Sequence, residues 1–142
     1  MIFHTIGFVG LGLIGGSVAK SLKRVHPEIT IVGYNRNQKV LDAAVSEGIV
    51  DVRSDDSLSA FRDCDLIFLC VPVVTALEFM DKLRDIKKDG AILTDVGSVK
   101  TGIHKYVEEK GLTDCFIGGH PMAGSEKTGY ANSSDRLIEN AW

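Results

Sequence analysis

No stretch of this chain approaches the roughly eighteen consecutive apolar residues needed to cross a bilayer, and no basic segment followed by a long apolar one stands at its amino terminus. A membrane-embedded or exported protein is not expected. With three prolines, one tryptophan, no low-complexity tract and no internal repeat, the sequence leaves no room for a linker, a disordered tail or a repeat array. Cys64, Cys70 and Cys115 are odd in number and widely spaced, and they read as free buried thiols in a reducing, cytoplasmic compartment. Charge of one sign is also lacking: the net charge is -3, and the sixteen basic residues are dispersed, so a nucleic-acid partner is not expected. No pair of histidines or cysteines stands at ligand spacing, which gives no support for a metal site.

What is present suffices for one globular domain. With 142 residues, 44% of them hydrophobic, the chain can bury a real core. Short apolar runs alternate with helical patterns. Thr5 to Val9, Ile29 to Tyr34, Ile49 to Val52, Leu66 to Val71, Ala91 to Thr94 and the pair Phe116 and Ile117 read as strands. Between them, helices are predicted over Ile14 to Lys23, over Val40 to Glu47, along the stripe Val74, Leu77, Met80, Leu83 and Ile86, and around Ile103 to Glu109. Strand followed by helix, repeated, predicts an α/β fold of the Rossmann type, with a doubly wound, mostly parallel sheet.

Gly10, Leu11, Gly12, Leu13, Ile14 and Gly15 form a dinucleotide fingerprint between the first strand and the first helix. In such a motif the first glycine makes the tight turn, the second lets backbone amides approach a pyrophosphate, and the third lets helix and strand pack closely. The helix terminus then favours the phosphate charge. A carboxylate binding the adenosine ribose would be expected at the end of the second strand, yet Tyr34, Asn35 and Arg36 occupy that place. Arg36 pairing with a 2′-phosphate, with Asn35 donating hydrogen bonds, favours NADP over NAD. The alternative is that Arg36 is only a solvated surface charge. Val71 and Pro72, ending the fourth apolar run, complete the cofactor-contact candidates.

Two further segments fall where strands hand over to loops, the edge at which open α/β sheets keep their chemistry. In the first, Thr94 to Lys100, Ser98 either orients a group beside the cofactor or caps the next helix, and Asp95 either caps or braces the turn. In the second, Gly118 to Glu126, His120 offers a base or hydrogen-bond acceptor in a turn-rich loop, with Glu126 six residues on. A lone histidine more often bonds to backbone in a core, but the company of Ser98 and Glu126 raises the catalytic reading. His4, His26 and His104 lack such company and are assigned to the surface or to strand ends.

The fingerprint, TDVGSVK at Thr94 to Lys100, GGHPMAGSE at Gly118 to Glu126, Gly129, and LIENA at Leu137 to Ala141 together resemble the prephenate dehydrogenase family over essentially the whole chain. The resemblance implies that residues 1–142 are its NAD(P)-binding domain and that a helical, dimerising domain follows elsewhere. It implies oxidative decarboxylation of prephenate to 4-hydroxyphenylpyruvate in tyrosine biosynthesis, or of arogenate to tyrosine, by a homodimer. The family's catalytic histidine maps onto His120, its orienting serine onto Ser98, and an acidic residue at the mouth of its site onto Glu126. The substrate-gripping arginine would lie in the helical domain. More distant readings are another hydroxyacid-type dehydrogenase, which would leave the GGHPMAGSE segment unexplained, or a nucleotide-sensing module without chemistry.

Overall fold

The computed structural model describes residues 2–141, so Met1 and Trp142 lie outside the described residues. Six strands form one sheet: β1 (Thr5–Val9), β2 (Thr30–Tyr34), β3 (Val52–Arg53), β4 (Leu66–Leu69), β5 (Ile92–Asp95) and β6 (Phe116–Ile117). Four α-helices, α1 (Leu13–Val25), α2 (Gln38–Ser46), α3 (Val73–Ile86) and α4 (Thr101–Glu109), make four of the five crossovers, and a 3-10 helix over Ser59–Asp63 lies on the connection from β3 to β4. The strand order is β3-β2-β1-β4-β5-β6 and every pairing is parallel, so the sheet is wholly rather than mostly parallel.

This order reverses direction between β1 and β4, which opens a crevice at their carboxyl ends. Alternation along the strands builds a core on each face. Ile6 and Phe8 of β1 join Ile31, Val18, Ala19, Leu41 and Ala44 under α1 and α2. Val9, Val32, Ile67 and Leu69 join Met80, Leu83, Ile103 and Val107 under α3 and α4. At the centre, Phe8 and Phe68 sit opposite one another in register and stack with centroids 5.0 Å apart. Such a pair contributes about 1 kcal/mol beyond its buried area.

The predicted elements are found, with shifts that have local causes. The second helix starts earlier than expected, at Gln38, because the Asn37 side chain accepts the Lys39 amide at 3.0 Å and caps it. Ile49 and Val50 belong to the close of α2 rather than to a strand, since both of their amides bond to the Ala44 carbonyl; β3 begins only at Val52. Val74 does not join the apolar stripe of α3: it is 73% exposed, and Ala76, Met80 and Leu83 carry the burial. The pair Phe116 and Ile117 is only half buried, because β6 is an edge strand with Phe116 inside and Ile117 at 60% exposure. All three cysteines are free, but only Cys64 is buried outright, Cys70 and Cys115 being intermediate.

After β6 the chain returns across the sheet to α1. Tyr130 is buried against this helix and its hydroxyl donates to Glu47 Oε2 at 2.9 Å, while the Ser134 amide donates to the buried Ser17 Oγ at 3.0 Å. Gly16 makes room for the return: a Cβ there would lie 2.7 Å from the Tyr130 ring and 2.8 Å from Ser133 Oγ. Gly16 and Ser17 are thus the seat for the last segment of the described chain. Among the described residues no helix is long and apolar enough to cross a membrane.

Candidate active site

Every loop that carries a site residue leaves the same edge of the sheet, because all six strands point one way. The first is the turn from β1 to α1. Gly10 takes φ +93°, and its amide donates to the Tyr34 carbonyl at 2.9 Å. A side chain there would be strained in backbone and would meet the Cys70 carbonyl at 2.5 Å. Gly15 lets α1 descend onto this turn, since its Cβ would lie 2.3 Å from the Gly10 carbonyl oxygen. At Gly12, by contrast, a Cβ would find nothing within 4 Å. This helix N-cap therefore faces open space, and α1 has no acidic residue in its first turn to oppose an anion. Leu13 and Ile14 form the start of α1.

Asn35 performs a task that the sequence does not announce. Its Oδ1 accepts the Leu11 amide at 2.9 Å and its Nδ2 donates to the Asn37 carbonyl at 3.0 Å, so it ties the glycine turn to the end of β2. One Nδ2 hydrogen is left for a ligand. Arg36 is exposed beside it. Both residues line a cleft of ≈ 470 Å³ with Gly10, Val71, Pro72 and Phe79. Thr75 and Glu78 of α3 line it too, and neither is singled out by the sequence pattern. The Tyr34 ring packs on Phe79 with centroids 5.4 Å apart. Burial and a hydrogen bond to Asp56 raise the Tyr34 hydroxyl above its ordinary range, so it stays neutral. An aromatic wall, an open helix N-terminus and an arginine at the rim suit an adenine nucleotide with its phosphates.

Cys70 stands beside this turn, and burial, reinforced by the Asp95 charge, pushes its thiol up to about 12. It is a packing group without nucleophilic character near neutrality.

The loops after β5 and β6 meet at Asp95. This last residue of β5 is 3% exposed, and its Oδ2 accepts the Gly97 amide at 3.0 Å and Lys100 Nζ at 2.5 Å. Its Oδ1 accepts the Gly119 amide at 3.3 Å, and Lys100 Nζ also donates to the Gly119 carbonyl. Of the two roles open to Asp95, bracing is therefore the observed one, and it reaches across to the histidine loop. Ser98 lies exposed on the loop this network closes. It does not cap α4: the N-cap is Lys100, without a side-chain cap.

His120 follows Gly119 directly and is exposed, as is Glu126 farther along the loop. The intervening Met122 takes φ +52°. Among the described residues neither the His120 ring nor the Ser98 hydroxyl has a hydrogen-bond partner, so both remain free to engage a ligand. Elsewhere, His26 pairs with Glu28 at 3.2 Å, and His104 sits exposed on α4, edge-on to Phe116, on the surface as expected. Among the described residues no group of three or more His, Cys, Asp or Glu is placed to hold a metal ion.

A larger open groove of ≈ 680 Å³ lies on the far side of α1, away from this edge. Its cations are already paired, Lys20 with Glu47, Lys23 with Asp51 and Arg24 with Asp135, so it offers no free charge to an anion.

Comparison with known proteins gives concordant findings. A family model described as prephenate dehydrogenase, nucleotide-binding domain, matches residues 18–142. The prephenate dehydrogenase of Lactococcus lactis is 39% identical over 137 residues, which are 94% of this chain and 38% of that protein. Among solved structures, prephenate dehydrogenase from A. aeolicus in complex with hydroxyphenyl propionate and NAD+ superposes with TM-score 0.90 at 37% identity, covering 99% of this chain and 49% of that one. Synechocystis arogenate dehydrogenase superposes with TM-score 0.84 at 38% identity, covering 94% and 46%. The chain thus spans about two fifths of the curated relative's length, and about half of the solved chains.

Proposed function

The chain belongs to the prephenate dehydrogenase family as its nucleotide-binding domain, and on that premise we propose that the full-length protein oxidises and decarboxylates prephenate with a nicotinamide dinucleotide in tyrosine biosynthesis. The observation that carries this reading is the convergence, at one sheet edge, of the open Gly12 turn, the Arg36 cleft, and the loops bearing Ser98 and His120. Bound nicotinamide supplies the hydride acceptor.

The protein's own groups then have distinct tasks. Gly10, Leu11, Gly12, Leu13, Ile14 and Gly15 present backbone to the pyrophosphate. Val71 and Pro72 border the cofactor, and Asn35 and Arg36 face the adenosine ribose, with Arg36 selecting NADP over NAD. His120 accepts the hydrogen bond or proton of the ring hydroxyl, and Ser98 orients that group. As the hydride leaves the carbon bearing the hydroxyl, that carbon gains carbonyl character; the bond to the carboxylate breaks, and its electron pair closes the aromatic ring. Gain of aromaticity drives the step, so the main requirement is to position ring, imidazole and nicotinamide. Glu126 guards the mouth of the site.

Arogenate is the second reading, favoured by the 38% identity to the Synechocystis arogenate dehydrogenase. On either reading a helical domain beyond this one supplies the carboxylate-binding arginine and the homodimer contact. The three free cysteines agree with a reducing, cytoplasmic setting. Steady-state assays of the full-length protein, offering prephenate or arogenate with NAD+ or NADP+, test the proposal. Reduction of nicotinamide with prephenate supports it, reduction with arogenate alone supports the second reading, and none with either contradicts both.

A further inference from the structure

We infer that Asp95 and Lys100 form a positioning clamp for His120, an inference that rests on the catalytic reading of that histidine. Gly119 immediately precedes His120, and both of its backbone groups are held: its N–H by Asp95 Oδ1 at 3.3 Å, its carbonyl by Lys100 Nζ. That carbonyl belongs to the peptide unit shared with His120, so the lysine fixes the plane from which the imidazole is launched. The other Asp95 oxygen holds Lys100 and the Gly97 amide, which anchors the loop of Ser98. One carboxylate and one ammonium thereby tie together the two loops that carry the proposed catalytic pair.

The surroundings support a built device. Asp95 is 3% exposed and the Lys100 side chain 25%, so the ion pair is shielded from water, and four charge-assisted contacts offset its desolvation. Gly119 leaves no slack, because a Cβ there would lie 2.8 Å from the Asp95 carbonyl oxygen. The loop must lie flat on the end of β5. With no side-chain partner for His120 among the described residues, its placement depends on its backbone, and the clamp is what holds that backbone.

The test uses the full-length protein with Lys100→Met, Lys100→Arg and Asp95→Asn. In Lys100→Met, amide exchange over residues 118–124 is expected to accelerate. Its kcat with the better substrate should fall by roughly 10- to 100-fold while nucleotide Kd stays within about twofold, since misplacement of a reacting group costs rate rather than cofactor binding. Lys100→Arg, which keeps the donor, should recover part of the loss, and Lys100→Met serves if Asp95→Asn fails to fold. Unchanged exchange over 118–124, or an unchanged kcat in Lys100→Met, overturns the clamp. Should the wild type oxidise neither prephenate nor arogenate, the functional reading fails, and the exchange data alone then decide the clamp.

Discussion

Asn35 and Leu11 are joined by a hydrogen bond of 2.9 Å from the Leu11 amide to Asn35 Oδ1, which fastens the glycine turn to the end of β2. One of the two lone pairs of this acceptor is therefore used within the protein itself. Arg36, exposed in the same cleft, is the residue proposed to select the 2′-phosphate of NADP. Arg36→Ala is expected to weaken NADP about tenfold or more, the worth of a charge-assisted contact to phosphate, and to change NAD affinity less than about twofold. Titration of both nucleotides by calorimetry checks this; equal affinities that ignore the substitution would make Arg36 a surface charge.

Two glycines four residues apart should separate binding from stability. A Cβ at Gly12 meets nothing, so Gly12→Ala should cost under ~1 kcal/mol of stability. The same methyl should impede the approach of a pyrophosphate and weaken nucleotide binding about tenfold, equivalent to about 1.4 kcal/mol. A Cβ at Gly16 would press on Tyr130 and Ser133, so Gly16→Ala should destabilise the fold by roughly 1–3 kcal/mol and loosen the segment after residue 129, with little direct effect on nucleotide contacts. Chemical denaturation beside nucleotide titration distinguishes the two.

Acid sensitivity should concentrate at the start of the sheet. Burial alone would raise the Asp65 carboxyl, but Lys88 at 2.6 Å and the amides of His4 and Thr5 outweigh it and hold it at about 2. Since an unfolded aspartate titrates near ~3.9, the folded value is the lower one. Its stabilisation is complete well above pH ~4 and is lost as the pH falls toward 2. Asp65→Asn should therefore be less stable than wild type at pH 7, by ~1–2 kcal/mol. That gap should close between pH ~4 and 2, as read from urea midpoints; a gap independent of pH would show that the charge is not what matters.

Much of the fold was legible because its signals are local. The Gly10 to Gly15 turn and the apolar run Leu66 to Val71 each sit within a few residues of the element they specify, whereas the Asn37 cap went unread and the start of α2 was placed two residues late. Val74 misled because helical period marks a face without saying whether anything covers it, and the first turn of α3 lies at the open crevice edge. Long-range ties left no such trace. The bond between Asn35 and Leu11 joins residues 24 apart, and the contact of Lys100 with Gly119 joins residues 19 apart. Asp95 was legible only as either a cap or a brace, and its reach to the histidine loop depends on the neighbouring register of β5 and β6.

The proposed role of His120 as the base is tested by steady-state oxidation of prephenate and arogenate by full-length wild type and His120→Asn, with nucleotide affinity measured on both. Loss of at least about a hundredfold in kcat, with nucleotide Kd unchanged, is the predicted result. Activity of His120→Asn equal to that of the wild type would contradict the account.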